Sequence, residues 1–163
     1  MKIIRRPNTP DEWQELFQRC ISKLDTIDVP ATMDYDRTNP VALNVINDAM
    51  AKAEIQRREL VSVRRTTEML RAVMQRWHDY KHAQLMDKAM SLELADGKKT
   101  YPNVSDRKNY SILNNERFIK DLEAINLIDE SISIEEKALN QYVRTLTNIS
   151  HNERCMANNS GSR

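Results

Sequence analysis

The chain has 163 residues, of which 40% are hydrophobic, 30% charged and only 6% aromatic, so its core must be lean and aliphatic. Glycine occurs twice, at Gly97 and Gly161, which excludes glycine-cradled phosphate sites such as the P-loop and argues against tightly turned β-sandwiches and barrels. The formal net charge is +1, and what remains is an all-α, polar chain of about one domain.

Thr9-Pro10-Asp11-Glu12 reads as a helix start, with threonine at the N-cap, proline at the first helical position and Glu12 placed for a capping box. Trp13, Leu16, Phe17, Cys20, Ile21 and Leu24 then recur at helical spacing, which predicts an amphipathic helix from Pro10 to Leu24. Residues 25 to 39 hold Pro30 and four aspartates (Asp25, Asp28, Asp34, Asp36) and read as a linker. Residues 1 to 38 thus form an N-terminal helix with an acidic linker.

Asn39-Pro40 repeats the cap-then-proline device, and from Val41 to Leu94 there is neither proline nor glycine. Some 54 helical residues would span about 80 Å. A heptad reading places Ile46, Ala53, Leu60, Thr67 and Met74 at one seam position and Ala49, Gln56, Val63, Leu70 and Trp77 at the other. Beyond Trp77 the seam slips to Leu85, Ala89 and Leu92, as a stutter would shift it. Asp96-Gly97 and the polar stretch Pro102, Asn103, Ser105 mark a loop, and a further helix is expected from Asp106 to Glu153. Its seam is Phe118, Ile125, Ile132, Leu139 and Leu146, with Ile128, Tyr142 and Ile149 three positions on.

Two long helices joined by a short loop pack most simply as an antiparallel, coiled-coil-like hairpin over residues 39 to 155, with a basic loop near 95 to 106. Residues 156 to 163 read as a disordered tail. Weak seam positions at Gln56, Thr67, Asp121, Asp129 and Glu135 point to further chains or a bound polymer sharing the surface, and so to an oligomer. No run reaches the roughly 18 apolar residues of a membrane span. The opening MKIIRRPNTPDEW lacks the apolar core of a signal peptide. Cys20 and Cys155 stand in no metal-ligand spacing, so the expectation is a cytoplasmic protein without membrane, metal or cofactor.

Charge is segregated along the chain. Residues 52 to 82 carry eight basic side chains against four acidic ones (net +4), residues 97 to 120 six against two (net +4), and residues 121 to 140 one against six (net −5). Folding at Gly97 is expected to gather the basic segments near the loop. Arg57, Arg64 and Arg71, seven residues apart with His78 at the next step, line one helical face. That spacing fits a coiled-coil flank paired with glutamates and equally a phosphate-binding stripe. Trp77, Tyr80, Tyr101 and Tyr110 interleave with the cations, and bases of single-stranded nucleic acid stack on such rings. The nucleic-acid-binding set read from the chain is Arg57, Arg64, Arg71, Arg76, Lys98, Lys99, Tyr101, Arg107, Lys108 and Tyr110.

His78 and His82 share the i, i+4 spacing of a zinc helix, but Asp79 is too short for the general-base role and no third ligand is near. Arg76 and His82 have the Arg-x5-His spacing that resembles the motif of HEPN-type ribonucleases, which are all-helical. Such a pair could stabilise a phosphorane and move protons, which keeps an RNase as a further alternative. No catalytic triad is visible.

The order of parts resembles the UvsY-type recombination mediators of T-even-like phages. The likeness rests on Leu70-Arg71-Ala72-Val73-Met74-Gln75-Arg76-Trp77-His78-Asp79-Tyr80, followed by the polar loop Asp96-Gly97-Lys98-Lys99-Thr100-Tyr101 and a long amphipathic helix. The resemblance implies a non-enzymatic, homo-oligomeric single-stranded-DNA-binding protein of the host cytoplasm. Such a protein helps load a RecA-like recombinase onto DNA covered by a single-strand-binding protein, and Arg76 matches the family's DNA-binding arginine. The alternative is a structural or adaptor coiled coil, as in phage assembly, whose basic face meets an acidic protein.

Overall fold

The structure is a computed structural model and describes residues 6–30, 43–94 and 96–160, with residues 159 and 160 described for their backbone only. It is all-helical, with α1 Pro10–Asp25, α2 Leu43–Ser91, α3 Val104–Leu113 and α4 Glu116–Ser160. Among the described residues there is no strand, only an isolated antiparallel bridge between Glu93 and Lys99. No helix among them is long and apolar enough to cross a membrane.

The start of α1 follows its sequence signals. The Thr9 hydroxyl accepts from the Glu12 N–H at 3.2 Å, while the Glu12 carboxylate reaches back to the Asn8 N–H at 2.7 Å. This is a capping box moved one residue outward. Trp13, Phe17 and Cys20 are buried along one face, with Ile27 buried just beyond the helix. The Asn39-Pro40 start expected for the second helix, and Asp34 and Asp36 of the linker, lie outside the described residues.

α2 stops at Ser91 rather than at Leu94 because residues 92 to 94 and 96 to 100 pair back as a small pin. The Thr100 N–H donates to the Leu92 carbonyl at 3.0 Å and the Leu94 N–H to the Lys98 carbonyl at 2.7 Å. Gly97 supplies the reversal with φ +79°, a left-handed conformation that costs glycine little. Asn103 then caps α3, its side-chain oxygen accepting from the Asp106 N–H at 2.8 Å, so that helix starts at Val104.

The single helix expected from Asp106 to Glu153 is broken at Asn114-Asn115, where α3 ends and α4 begins. The Asn114 side chain donates to the Tyr110 carbonyl at 2.8 Å. The Asn115 carbonyl accepts the first bond of α4, from the Phe118 N–H at 3.1 Å. Asparagine satisfies loose helix ends as readily as it weakens helix interiors, so two in succession break a helix without proline or glycine. At the other end α4 runs through Ser160, into the stretch from Met156 read as a disordered tail. No proline or glycine intervenes before Gly161 to stop it.

The chain divides into two compact units: Met1–Phe17 with Thr67–Ile128, and Gln18–Thr66 with Asp129–Arg163. The second unit buries Ile46, Ala53, Leu60 and Val63 of α2 and Ile132, Leu139, Tyr142, Leu146 and Ile149 of α4. These are the heptad positions read from the sequence. Gln56, a weak position in that seam, donates its side-chain amide to the Asp28 carbonyl.

The first unit buries Trp13, Phe17, Thr67, Leu70, Met74, Leu85, Ala89, Ile125 and Ile128. Trp13 stacks on Phe17, centroids 4.9 Å apart, and its indole N–H donates to the Leu70 carbonyl of α2 at 3.0 Å. The stutter between Met74 and Leu85 is bridged by the half-buried His78 and His82, whose rings lie parallel 6.1 Å apart.

Candidate nucleic-acid interface

The division into units sorts the ten residues read as nucleic-acid-binding. Arg57 and Arg64 belong to the second unit and the other eight to the first. The +4 of residues 52 to 82 divides accordingly. Residues 52 to 66 have five cations against two carboxylates (net +3) and residues 67 to 82 three against two (net +1). The first basic segment is therefore divided between the two units, and the cations around the turn are those of the first unit.

The stripe of cations at seven-residue spacing behaves as a flank of the helical seam. Arg64 Nη2 lies 2.9 Å from Glu136 Oε2 and 3.4 Å from the Ser133 hydroxyl. Arg71 Nη2 donates to Asn126 Oδ1 at 3.1 Å. These guanidiniums reach across to α4, because a heptad places flank positions beside the partner helix. Arg57, at the open end of the stripe, is exposed.

Around the turn the cations differ in what holds them. Arg107 donates from Nε to the Tyr101 carbonyl at 3.1 Å and from Nη2 to the Pro102 carbonyl at 2.8 Å, so it staples the loop onto α3. Lys98 Nζ lies 3.1 Å from Asp96 Oδ2 with both side chains well exposed, a pairing worth little in water. The Lys98 ammonium and backbone hydrogen bonds to Asp96 hold that carboxyl below its usual range, the backbone bond contributing most. Lys99 Nζ donates to the Met90 carbonyl at 3.2 Å. Arg76 and Lys108 are exposed and have no carboxylate partner among the described residues.

The aromatic expectation also changes. Tyr101 and Tyr110 are half-buried with ring centroids 4.9 Å apart and planes tilted by 46°. Each ring therefore spends a face on the other, fastening the loop to α3. Tyr80, left out of the expected set, is 68% exposed.

His82 belongs to a polar ladder that sequence reading missed. The fully buried Ser111 places its hydroxyl 2.6 Å from His82 Nδ1 and donates more weakly to the His82 carbonyl at 3.4 Å. One turn on, the Asn115 side-chain amide donates to the His78 carbonyl at 3.4 Å, while its Oδ1 is buried without a partner. His78 Nδ1 lies 3.3 Å from Asp79 Oδ1. The pair at i, i+4 is thus engaged in packing, and no group of three or more metal-ligating side chains exists among the described residues. Six helical positions set Arg76 and His82 about 120° apart around α2, and His82 Nδ1 is engaged by the Ser111 hydroxyl. No protein-family model matches the chain, and neither does any curated protein or solved structure.

Proposed function

We propose that the chain is a non-enzymatic binder of single-stranded DNA that works as a homo-oligomer of antiparallel helical hairpins. The observation carrying this reading is the set of cations in the first unit that are not spent on carboxylate partners buried with them. Arg76 and Lys108 stand exposed without a carboxylate, and Lys98 is held only by an exposed neighbour. Lys99 is exposed on the same glycine-bearing pin. Exposed ammonium and guanidinium groups are the sequence-independent grip on phosphate. The hairpin is supported by the pairs Arg71 with Asn126, His78 with Asn115 and His82 with Ser111, whose numbers rise on α2 as they fall on the opposing segment. The likeness to UvsY-type mediators extends the proposal to a partner. The protein would load a RecA-like recombinase onto single strands covered by a single-strand-binding protein, which a strand-exchange assay with and without the chain tests.

Gel retardation decides the first step. The chain is expected to shift a single-stranded oligonucleotide, with affinity falling as salt rises by a slope of about 0.7 per phosphate contacted. Arg76→Glu combined with Lys108→Glu weakens the shift while circular dichroism stays helical. Absence of any shift at low salt overturns the reading.

A second reading, an adaptor for another protein, is favoured by α3. Its buried side chain is Ser111, whereas Val104, Ile112 and Leu113 are exposed, the inverse of a helix that packs for its own fold. An adaptor retards neither single-stranded nor duplex DNA.

A further inference from the structure

Burial separates the four aromatic side chains of the basic region. Trp77 is half-buried, and Tyr101 and Tyr110 occupy one another. Tyr80 is 68% exposed and has no hydrogen-bond or ring partner among the described residues. Nothing in the packing of α2 requires a ring there. Arg76 lies one helical turn before it, and Ala72 and Ala83 are the small exposed residues along the same side of α2, since positions three, four and eight apart share a helical face. The ring therefore has open faces and a cation in reach of them.

We propose that Tyr80 is a stacking platform for an unpaired base and that Arg76 seats the adjoining phosphate. This rests on the single-strand-binding reading above and adds to it the element that discriminates strands. In a duplex both faces of each base are covered by neighbours, so only a single strand offers a face to the ring. Arg76 supplies the charge complementarity, as its guanidinium has no carboxylate to satisfy it among the described residues. The neighbouring acid, Asp79, is turned back along the helix. Its Oδ1 accepts from Gln75 Nε2 at 2.8 Å and lies 3.3 Å from His78 Nδ1. These bonds, Gln75's first, hold its carboxyl below the usual range. Asp79 thus marks a border that a phosphate avoids, and the strand runs on the Arg76 side.

The test uses the full chain with fluorescein-labelled oligothymidylate, oligouridylate and a mixed-sequence duplex, titrated at several salt concentrations. Tyr80→Ala is expected to weaken single-strand binding about 5- to 150-fold with an unchanged salt slope, and Tyr80→Phe to bind as wild type. Arg76→Gln lowers the slope by about 0.7. The exposure of Tyr80 means both variants at that position keep their helicity. A loss on only one of the two single strands also supports the platform and shows that it discriminates between the two strands. If Tyr80→Ala binds single strands as wild type, or weakens the duplex equally, the platform is overturned while the single-strand reading stands. If the wild-type chain binds no strand at low salt, both fall.

Discussion

The two units seal their helices differently. In the second, α2 and α4 meet through aliphatic side chains at strict seven-residue spacing, from Ile46 to Leu60 on one side and from Ile132 to Leu146 on the other. In the first, the same two helices meet through an interrupted seam. Trp13 hydrogen-bonds the Leu70 carbonyl, His78 and His82 fill the stutter, and Ser111 and Asn115 of the α3–α4 break answer them. A regular seam needs only hydrophobic burial. An interrupted one must also satisfy the polar groups it buries, and in this chain Arg76, Lys108 and Tyr80, exposed without a partner among the described residues, lie in the unit with that burden.

The largest expected effect tests the anchor of the first unit against the seam of the second. Trp13→Ala removes a fully buried indole and is expected to cost about 3–5 kcal/mol, against about 2–5 kcal/mol for Leu139→Ala, both read from urea unfolding. Trp13→Phe, which keeps an aromatic ring but loses the bond to Leu70, should cost far less than Trp13→Ala. If it costs as much, the hydrogen bond and not the buried ring holds α1 there.

Polar contacts provide the next step down. Ser111→Ala deprives His82 Nδ1 of its partner inside the first unit and should cost about 1 kcal/mol. Arg64→Gln breaks the half-exposed pair with Glu136 in the second, and about 0.2–1 kcal/mol is expected. Equal costs would erase the distinction between a buried polar ladder and a solvated flank.

The smallest effect is a pH dependence. Burial raises the Asp121 carboxyl above its ordinary value, partly opposed by the nearby Arg117 charge. The folded state therefore disfavours the ionised form, and acidification through the raised range relieves that penalty. Asp121→Asn should be more stable than wild type at neutral pH. The advantage fades as pH falls between the raised and the ordinary value, as thermal melts at several pH values would show. An advantage that grows on acidification contradicts this placement of Asp121.

Much of the architecture is legible in the sequence because helix caps and seam periodicity are local. Thr9, Pro10 and Glu12 announce α1, Asp96-Gly97 announces the reversal, and the heptad positions Ile46, Ala53, Leu60, Thr67 and Met74, and Ile125, Ile132, Leu139 and Leu146, are buried where they are expected, while Ala49, Gln56, Trp77 and Phe118 are half-buried. The break at Asn114-Asn115 escapes a reading that admits only proline and glycine as breakers, although asparagine before Glu116 is an ordinary N-cap signal. The candidate site is legible only as an inventory. Arg64, Arg71 and Arg107 are visible as charges, but Glu136, Asn126 and the Tyr101 and Pro102 carbonyls that occupy them are not.

What the sequence determined by itself is that the chain is helical, where most helices begin and turn, and which face of each is apolar, since these follow from side chains a few positions apart. What tertiary structure alone decided is which cations and rings stay available to a ligand. That depends on groups distant along the chain, such as Ser111 against His82 or Glu136 against Arg64, which meet only after packing has set their separation and removed water from between them.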